Sequence, residues 1–251
     1  MIGIDLGSRK VKIVQMVQDQ VLKKEMFDTI DFYRRFGLVG EGRLNLKLEE
    51  LGFDEEEMLV ATGYGKLAVT VSGAQPIPEI QAHVLGACFS TGLSDFTLVD
   101  IGGQDTKVIQ VRNGTVIDFL TNDRCAAGSG RYLEHMAGIL GMTIEELSQY
   151  DEEPVHLNST CAIFGETEII GHIVTGAPVA SLAAGVNYAV YRKLAPMLRK
   201  LSSETLVLSG GGASNQALRR IIARETGCQV VEVQEPQYNG AVGCCIYGRK
   251  L

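Results

Sequence analysis

The chain has no tryptophan, only 6 cysteines in 251 residues, and no run of basic residues interleaved with aromatic ones. Its formal net charge is -7, so nucleic-acid binding is not expected. Six cysteines are too sparse for a disulfide scaffold. No apolar stretch reaches the roughly 18 residues of a membrane span, and Met1 leads directly into IGIDLG without a basic signal region. We therefore expect a globular cytoplasmic protein without membrane contact.

Two common nucleotide-binding signatures are also missing. The chain contains no GxxxxGK followed by serine or threonine, which excludes a P-loop ATPase. No GxGxxG opens a helix near the N-terminus, which disfavours a dinucleotide-binding fold. Any nucleotide site must therefore be built from other glycine turns.

The opening pattern of the chain occurs twice. IGIDLGSRKVKIVQM is an apolar strand, a glycine turn and a second strand that alternates at Val11, Ile13 and Met16. FTLVDIGGQDTKVIQV, which starts at residue 96, has the same order and continues through Asn113-Gly114, a favoured hairpin turn, into TVIDFL. The repeat predicts two lobes with a boundary near residue 93.

Hydrophobic periodicity predicts the other elements. We expect a buried strand over 58–66, helices over 80–89 and 131–140, a helix after Cys161, a helical segment over 179–201 that Pro196 kinks or ends, a strand and glycine turn over 205–214, and a strand over 229–234. Ser159 or Thr160 is the expected cap of the helix after Cys161. Its expected core-facing residues are Ile163, Phe164, Ile169, Ile170 and Ile173. Residues 33–57 are too charged and irregular for an assignment.

The first glycine turn, Asp5-Leu6-Gly7-Ser8, has the groups of a phosphate site. Backbone N–H groups around Gly7 and the hydroxyl of Ser8 can bind phosphate oxygens, and Lys12 can supply positive charge. Asp5 is expected to hold Mg²⁺ through water.

Two later turns extend this pattern. Asp100-Ile101-Gly102-Gly103-Gln104-Asp105 presents the same groups, and Ser209-Gly210-Gly211-Gly212-Ala213 ends a strand in glycines, so that a base or ribose can approach the backbone. Gln104 is our candidate for orienting the attacking water, and Asp100 for assisting it or holding the metal through water. The alternative is that both merely form the turn. The expected nucleotide-binding residues in these turns are Gly102, Gly103, Asp105, Lys107, Gly210, Gly211, Gly212 and Ala213.

Cys125 and Cys161 each precede a predicted helix, and neither has a CxxC neighbour. An iron-sulfur cluster takes four thiolates, so one chain offers two ligands and a symmetric dimer would supply the other two. The positive end of a helix dipole stabilises a thiolate at such a position. The alternative is that both are small buried hydrophobic residues. That structural interpretation applies to Cys88, Cys228, Cys244 and Cys245.

The three turns resemble the phosphate-1, phosphate-2 and adenosine motifs of the acetate and sugar kinase, heat-shock chaperone and actin superfamily. Within it, VDIGGQDTKVI, NDRCAAGSGRYLE, STCAIFGETE and TGYGK resemble the ATPase activators (component A) of 2-hydroxyacyl-CoA dehydratases and the related ATP-binding subunits of benzoyl-CoA reductase. The match spans nearly the whole chain. NDRCAAGSGR is the most specific segment, because kinases and chaperones of the superfamily have no cysteine there.

The resemblance implies an α/β fold of two actin-like, ribonuclease H-like lobes, each with a mixed five-stranded sheet, and ATP or ADP with Mg²⁺ in the cleft between them. Residues 1–93 would form lobe I, to which a C-terminal helix over 238–251 returns with Gly240 at the nucleotide. Residues 94–237 would form lobe II. The resemblance also implies a homodimer with one 4Fe-4S cluster, held by Cys125 and Cys161 of each protomer.

The implied function is that of an oxygen-sensitive reductive activase. ATP hydrolysis would be coupled to one-electron transfer from a ferredoxin or flavodoxin to an iron-sulfur acceptor enzyme of the 2-hydroxyacyl-CoA dehydratase type. Related alternatives are ATP-dependent reduction of a double-cubane cluster protein or of a benzoyl-CoA reductase-like enzyme. A small-molecule kinase of the same superfamily would not use two helix-capping cysteines, and a filament protein like actin is a third, non-catalytic alternative.

Overall fold

The computed structural model describes residues 1–40, 43–46, 49–53, 57–63, 70–122, 127–158 and 162–251. The chain divides into two compact units: Met1–Ser94 with Val233–Leu251, which we call unit 1, and Asp95–Glu232, which we call unit 2. The sequence predicted a boundary between the lobes after residue 93 and a return of the chain to the first lobe at residue 238. No helix within the described ranges is both long and apolar enough to cross a bilayer.

Unit 1 is built on a mixed five-stranded sheet and a separate three-stranded sheet. Its strands are β1 (Ile2–Leu6), β2 (Lys10–Val17), β3 (Gln20–Asp28), β4 (Gly37–Gly40), β5 (Arg43–Leu46), β6 (Leu59–Gly63), β7 (Thr70–Val71) and β8 (Ala74–Pro76). The larger sheet has the order β3-β2-β1-β6-β8, with β1 antiparallel to β2 and parallel to β6. The smaller sheet has the order β4-β5-β7. It includes two strands from the region 33–57, for which the sequence predicted no element.

Unit 2 repeats the larger sheet. Its strands are β9 (Phe96–Ile101), β10 (Thr106–Arg112), β11 (Thr115–Asn122), β12 (Thr205–Ser209) and β13 (Gln229–Glu232). The order is β11-β10-β9-β12-β13, with β9 antiparallel to β10 and parallel to β12. The last strand ends two residues before its predicted limit at residue 234. The predicted α/β class with two mixed five-stranded sheets is confirmed.

Local sequence explains the hairpin between β10 and β11. Asn113 and Gly114 have φ values of 49° and 67°, the left-handed conformations that a two-residue turn between twisted strands requires. In β2, Val11 and Ile13 pack into one apolar cluster of unit 1, whereas Met16 packs into another with residues of the C-terminal helix. All three predicted strand residues are therefore buried, but in two different clusters. A β-bulge between Gln15 and Met16 shifts the pairing with β3, and both faces of the sheet are covered.

The helices cover these sheets. They are α1 (Thr29–Phe36), α2 (Glu79–Thr91), α3 (Gly130–Ile139), α4 (Ile144–Leu147), α5 (Ala162–Val174), α6 (Val179–Leu201), α7 (Gln216–Thr226) and α8 (Asn239–Gly248). The last of these returns to unit 1 and packs against α2, β1 and β6. A Cβ at Gly243 of α8 would lie 1.7 Å from the carbonyl oxygen of Ala82, so only glycine permits this contact between α8 and α2.

The sequence predicted that Pro196 kinks or ends helix α6. The helix runs through Pro196 to Leu201, so the second of these alternatives is wrong. A proline inside a helix costs about 3 kcal/mol, because it removes one hydrogen bond and crowds the preceding turn. Leu194, Leu198 and Leu201 are all buried in the core of unit 2. Burying each leucine is worth about 1.5–3 kcal/mol, so the packing of this helix outweighs the local penalty.

Helix α5 buries less than its sequence predicts. Ile169 is fully buried, but Phe164 is 70% exposed, and Ile170 and Ile173 are exposed as well. The prediction that these three side chains face the core is therefore wrong. Among the described elements, the helix contacts α3 and α6, and Phe164, Ile170 and Ile173 lie outside these contacts. The side chain of Ile163 and the cap expected at Ser159 or Thr160 lie outside the described part of the protein.

Candidate functional site

The first glycine turn joins β1 to β2 in unit 1. Asp5 on β1 lies directly opposite Lys12 on β2, and Lys12 Nζ is 3.0 Å from Asp5 Oδ2. Both side chains are largely buried, so the carboxylate holds the ammonium group beside the turn. A Cβ at Gly7 would stand 2.6 Å from the carbonyl oxygen of Lys10 and 2.8 Å from Lys12 Nζ, which explains the glycine. Ser8 is half-buried in the same turn.

The second glycine turn joins β9 to β10 in unit 2 and has the same plan. Asp100 on β9 lies directly opposite Lys107 on β10. Lys107 Nζ is 3.9 Å from Asp100 Oδ2 and 2.7 Å from Asp105 Oδ2. The N–H of Gly102 donates to the carbonyl oxygen of Asp105 at 2.9 Å, which closes the turn, and Gln104 is exposed at its tip. Each turn thus pairs a buried carboxylate with a lysine on the next strand.

The third glycine turn follows β12 and lies beside the second, because Ser209 pairs with Asp100 across the parallel strands. Gly210 has φ +83°, and a Cβ there would stand 2.5 Å from the carbonyl oxygen of Ile101 and 2.6 Å from Asp100 Oδ1. A Cβ at Gly212 would stand 2.3 Å from Ile101 Cγ2. A Cβ at Gly211, in contrast, would meet no atom within 4 Å. Packing therefore accounts for two of these glycines, and only Gly211 faces open space.

Gly240 lies in the first turn of α8, close to a residue that the sequence reasoning missed. A Cβ at Gly240 would stand 2.8 Å from His83 Nε2 and 3.2 Å from Asp5 Oδ2, so imidazole and carboxylate converge on one point. Asn239 Nδ2 donates to the carbonyl oxygen of His83 at 2.8 Å, which ties α8 to α2. The sequence showed only a histidine four residues after Glu79 in a largely apolar predicted helix, and this spacing does not reveal the contacts with Asp5 and Gly240.

Cys125 and Cys161, the predicted iron-sulfur ligands, lie outside the described residues. The helices predicted to follow them are present. Helix α5 begins at Ala162, directly after Cys161, and α3 begins at Gly130. The two helices contact each other, and a Cβ at Gly165 would stand 2.9 Å from Met136 Cε. The segments after the two cysteines therefore meet on one side of unit 2.

The other four cysteines are buried or half-buried, as their structural interpretation predicts. Cys244 Sγ donates to the carbonyl oxygen of Ile4, and Cys245 Sγ to that of Val14. Burial raises the pKa of Cys88 and of Cys244, and raises the pKa of Cys245 to about 12. In Cys88, Cys244 and Cys245, burial therefore disfavours the thiolate form that binds metal ions.

The structure thus brings the predicted residues together in two sets. The set in unit 1 is Asp5, Gly7, Ser8, Lys12 and Gly240. The set in unit 2 is Asp100, Gly102, Gly103, Gln104, Asp105, Lys107, Gly210, Gly211, Gly212 and Ala213. Each set combines backbone N–H groups at a glycine turn, a lysine and a carboxylate. Such groups can bind phosphate oxygens and can hold a hydrated Mg²⁺.

Comparison with known proteins agrees with this chemistry. The profile of the BadF/BadG/BcrA/BcrD ATPase family matches residues 2–248. The 2-hydroxyisocaproyl-CoA dehydratase activator of Clostridioides difficile is 32% identical over 98% of this chain and 93% of its own length. The (R)-2-hydroxyglutaryl-CoA dehydratase activating ATPase of Acidaminococcus fermentans is 31% identical over 99% of this chain and 96% of its own length.

A solved structure is similar over nearly the whole chain as well. The activator of the 2-hydroxyisocaproyl-CoA dehydratase from Clostridium difficile, with bound ADPNP, has a TM-score of 0.83 at 31% identity. The similarity covers 98% of this chain and 92% of the activator. The resemblance drawn from the glycine turns and the cysteine segments is confirmed, and the chain belongs to the BadF/BadG/BcrA/BcrD ATPase family.

Proposed function

We propose that this chain is an ATP-dependent one-electron donor that activates an iron-sulfur enzyme of the 2-hydroxyacyl-CoA dehydratase type. The observation that carries the proposal is the duplicated turn, in which a buried carboxylate faces a lysine beside glycines. It stands in a chain that is similar to two dehydratase activators over nearly its full length. The acceptor is an iron-sulfur enzyme of the dehydratase or related reductase type.

In each unit, the residues of the glycine turns fit the phosphates or the magnesium ion of a nucleotide. A Cβ at Gly7 or Gly102 would crowd atoms of its own turn, so glycine keeps each turn tight, and Gly211 leaves open space for a base or ribose. Lys12 and Lys107 supply positive charge beside the phosphates. Asp5 and Asp100 offer the carboxylate oxygens that a hydrated Mg²⁺ prefers. The ion, when bound, neutralises phosphate charge, and Gln104 at the exposed tip of its turn orients the attacking water.

Cys125 and Cys161 are the proposed ligands of a 4Fe-4S cluster shared by a homodimer. Two thiolates from each of two chains complete the four that such a cluster takes. The high thiol pKa of Cys88, Cys244 and Cys245 agrees with this choice. Apolar side chains left exposed on α5, directly after Cys161, offer a surface for the second protomer. When bound, the cluster would accept one electron and hold it until transfer.

Coupling to ATP has an energetic reason. One-electron transfer uphill by about 0.3 V costs about 7 kcal/mol, since 59 mV corresponds to about 1.4 kcal/mol. Thermal fluctuation does not supply that energy, whereas nucleotide hydrolysis can if it changes the conformation of the donor. The electron would come from a ferredoxin or flavodoxin. We place the protein in the cytoplasm, because unpaired thiolate ligands need a reducing compartment.

The test is anaerobic purification followed by iron analysis, absorption spectroscopy and an ATPase assay. We expect about four iron atoms per dimer and a broad absorption shoulder near roughly 400 nm. Cys125→Ser and Cys161→Ser should each lose iron and colour while nucleotide binding is retained, because the glycine turns do not depend on thiolates. Cys88→Ser and Cys228→Ser are the controls and should keep full iron. Full iron in either ligand variant would show that the ligand assignment is wrong.

A further inference from the structure

The segment 127–131 of unit 2 is bonded directly to the second glycine turn. The N–H of Gly130 donates to the carbonyl oxygen of Gly102, and the N–H of Arg131 donates to that of Gly103, both at 2.9 Å. A Cβ at Gly130 would stand 3.3 Å from the same Gly102 oxygen, so the start of α3 approaches the turn closely. The first turn of α3 is therefore joined to the phosphate-binding candidate by two adjacent backbone hydrogen bonds.

Two side chains of the sheet also donate hydrogen bonds to segment 127–131. Thr106 Oγ1 donates to the carbonyl oxygen of Gly128 at 2.7 Å, and Asn122 Nδ2 donates to that of Ala127 at 2.7 Å. Thr106 is fully buried at the start of β10, and Asn122 is its partner on β11. A buried hydrogen bond is costly to leave unmade, so the segment moves together with the strands and the turn.

The rigid peptide planes of the second glycine turn link a bound phosphate to segment 127–131. The carbonyl of Gly102 shares one rigid peptide plane with the N–H of Gly103, and the carbonyl of Gly103 shares another with the N–H of Gln104. A phosphate that accepts hydrogen bonds from those two N–H groups turns both planes and polarises both carbonyls. The N–H groups of Gly130 and Arg131 are bonded to those carbonyls and follow them.

We propose that Thr106 and Asn122 are positioning residues that couple segment 127–131 to the nucleotide at the second glycine turn. In the sequence this segment begins two residues after Cys125, so the coupling leads from the phosphate to a proposed cluster ligand. The inference rests on the proposed function and deepens it by naming the route. Thr106 acts through the backbone of Gly128 and does not touch the phosphate.

Hydrogen exchange of the full-length protein with and without ADP and Mg²⁺ tests the proposal. In the wild type, ADP should slow exchange of peptides covering 127–135 about tenfold, together with those covering the turn. Thr106→Val keeps the shape of the side chain and removes the hydroxyl. In this variant the ADP-dependent slowing at 127–135 should fall below about twofold, while the turn itself still responds. Calorimetry should show ADP affinity within about threefold of the wild type.

Matched variants separate coupling from general stability. Thr106→Ser retains the hydroxyl and should restore the response. Thr97 lies in the same sheet as Thr106, and Thr97→Val removes a buried hydroxyl that donates to the carbonyl oxygen of Leu201 at the end of α6. Gly138→Ala adds a methyl group to α3 where no atom lies within 4 Å. Both of these controls should respond to ADP as the wild type does.

The outcomes are distinct. ADP binding without slower exchange at 127–135 in the wild type would overturn this inference alone, and so would an unchanged response in Thr106→Val. A response lost equally in Thr97→Val would also overturn it, because the effect would then be one of stability. A wild-type protein that does not bind ADP would overturn the proposed function and this inference together.

Discussion

At the scale of single residues, the catalytic candidates are two carboxylates, each facing a lysine across an antiparallel strand pair. Asp5 pairs with Lys12 and Asp100 with Lys107, in the two copies of one hairpin. A carboxylate held by a lysine is fixed in orientation, which suits it to hold a hydrated metal ion. The position of each lysine follows from strand pairing, since it is the residue directly opposite the aspartate.

Replacing either aspartate should abolish turnover without unfolding the protein. We expect Asp5→Ala and Asp100→Ala to lower kcat for ATP hydrolysis by about 100-fold or more, because each loses a carboxylate proposed to hold the hydrated Mg²⁺. The measurement is steady-state phosphate release at saturating ATP and Mg²⁺. Asp118→Asn on exposed β11 is the control and should keep full activity. Normal turnover in both alanine variants would contradict the phosphate-site assignment.

The third glycine turn provides a matched pair of substitutions. Gly210→Ala places a Cβ 2.5 Å from a backbone oxygen at φ +83°, so we expect it to lower the free energy of unfolding by about 2–4 kcal/mol. Gly211→Ala meets no atom within 4 Å and should change stability by less than about 0.5 kcal/mol.

Urea unfolding measures the stability of both glycine variants, and calorimetry measures their ATP affinity. Gly211→Ala should weaken ATP binding although the protein stays stable, because its methyl group fills the space proposed for the base or ribose. Equal destabilisation by the two substitutions would contradict the packing account of Gly210.

At the scale of elements, an ion-pair network ties the segment after α4 to α7. Arg220 Nε donates to Asp151 Oδ1 at 2.7 Å, and Arg224 Nη1 donates to Asp151 Oδ2 at 3.1 Å. Burial acts to raise the pKa of Asp151, but the hydrogen bonds and charges of the two arginines outweigh it and lower the pKa below its usual 3.8. The ionised carboxylate therefore stabilises this junction.

The contribution of Asp151 should depend on pH in a defined direction. As pH falls below 3.8, the unfolded chain takes up a proton at this residue before the folded chain does, so the stabilisation is lost. At pH 7 we expect Asp151→Asn to lower the free energy of unfolding by about 2 kcal/mol. The difference from the wild type should shrink in urea unfolding below pH 3.8. Asp118→Asn is the exposed control, and a difference that grows in acid would show the sign to be wrong.

At the scale of the whole molecule, the proposed dimer and the proposed cluster depend on each other. If two chains share four thiolate ligands, each chain is a half-site, and the metal contributes free energy to association. Cys125 and Cys161 are the only ligands that this proposal takes from each chain. Metal content and oligomeric state should therefore change together.

Removing iron should loosen the dimer. We expect chelator treatment or air oxidation to shift sedimentation velocity profiles toward the monomer, and readdition of iron and sulfide to reverse the shift under anaerobic conditions. Cys125→Ser should behave like the chelated protein even without chelator, while Cys228→Ser should remain dimeric. A dimer of unchanged affinity after complete loss of iron would remove the bridging assignment.

The sequence by itself determined the features that depend on local chemistry. The repeated strand–turn–strand pattern, the glycine turns and the Asn113-Gly114 hairpin could be recognised because period-two alternation and positive φ are local properties. The helices after Cys125 and Cys161 were recognisable because the helical period of apolar residues is also a local property.

Only the tertiary structure decided features that depend on distant partners. Helix α6 continues through Pro196 because its leucines are buried by other elements, and Phe164 is exposed because none of the described elements covers that side of α5. His83 converges with Asp5 on Gly240 through contacts among α2, β1 and α8, and residues so far apart in sequence leave no local pattern. Burial and close approach are set by which elements pack together, so residue type and spacing alone do not determine them.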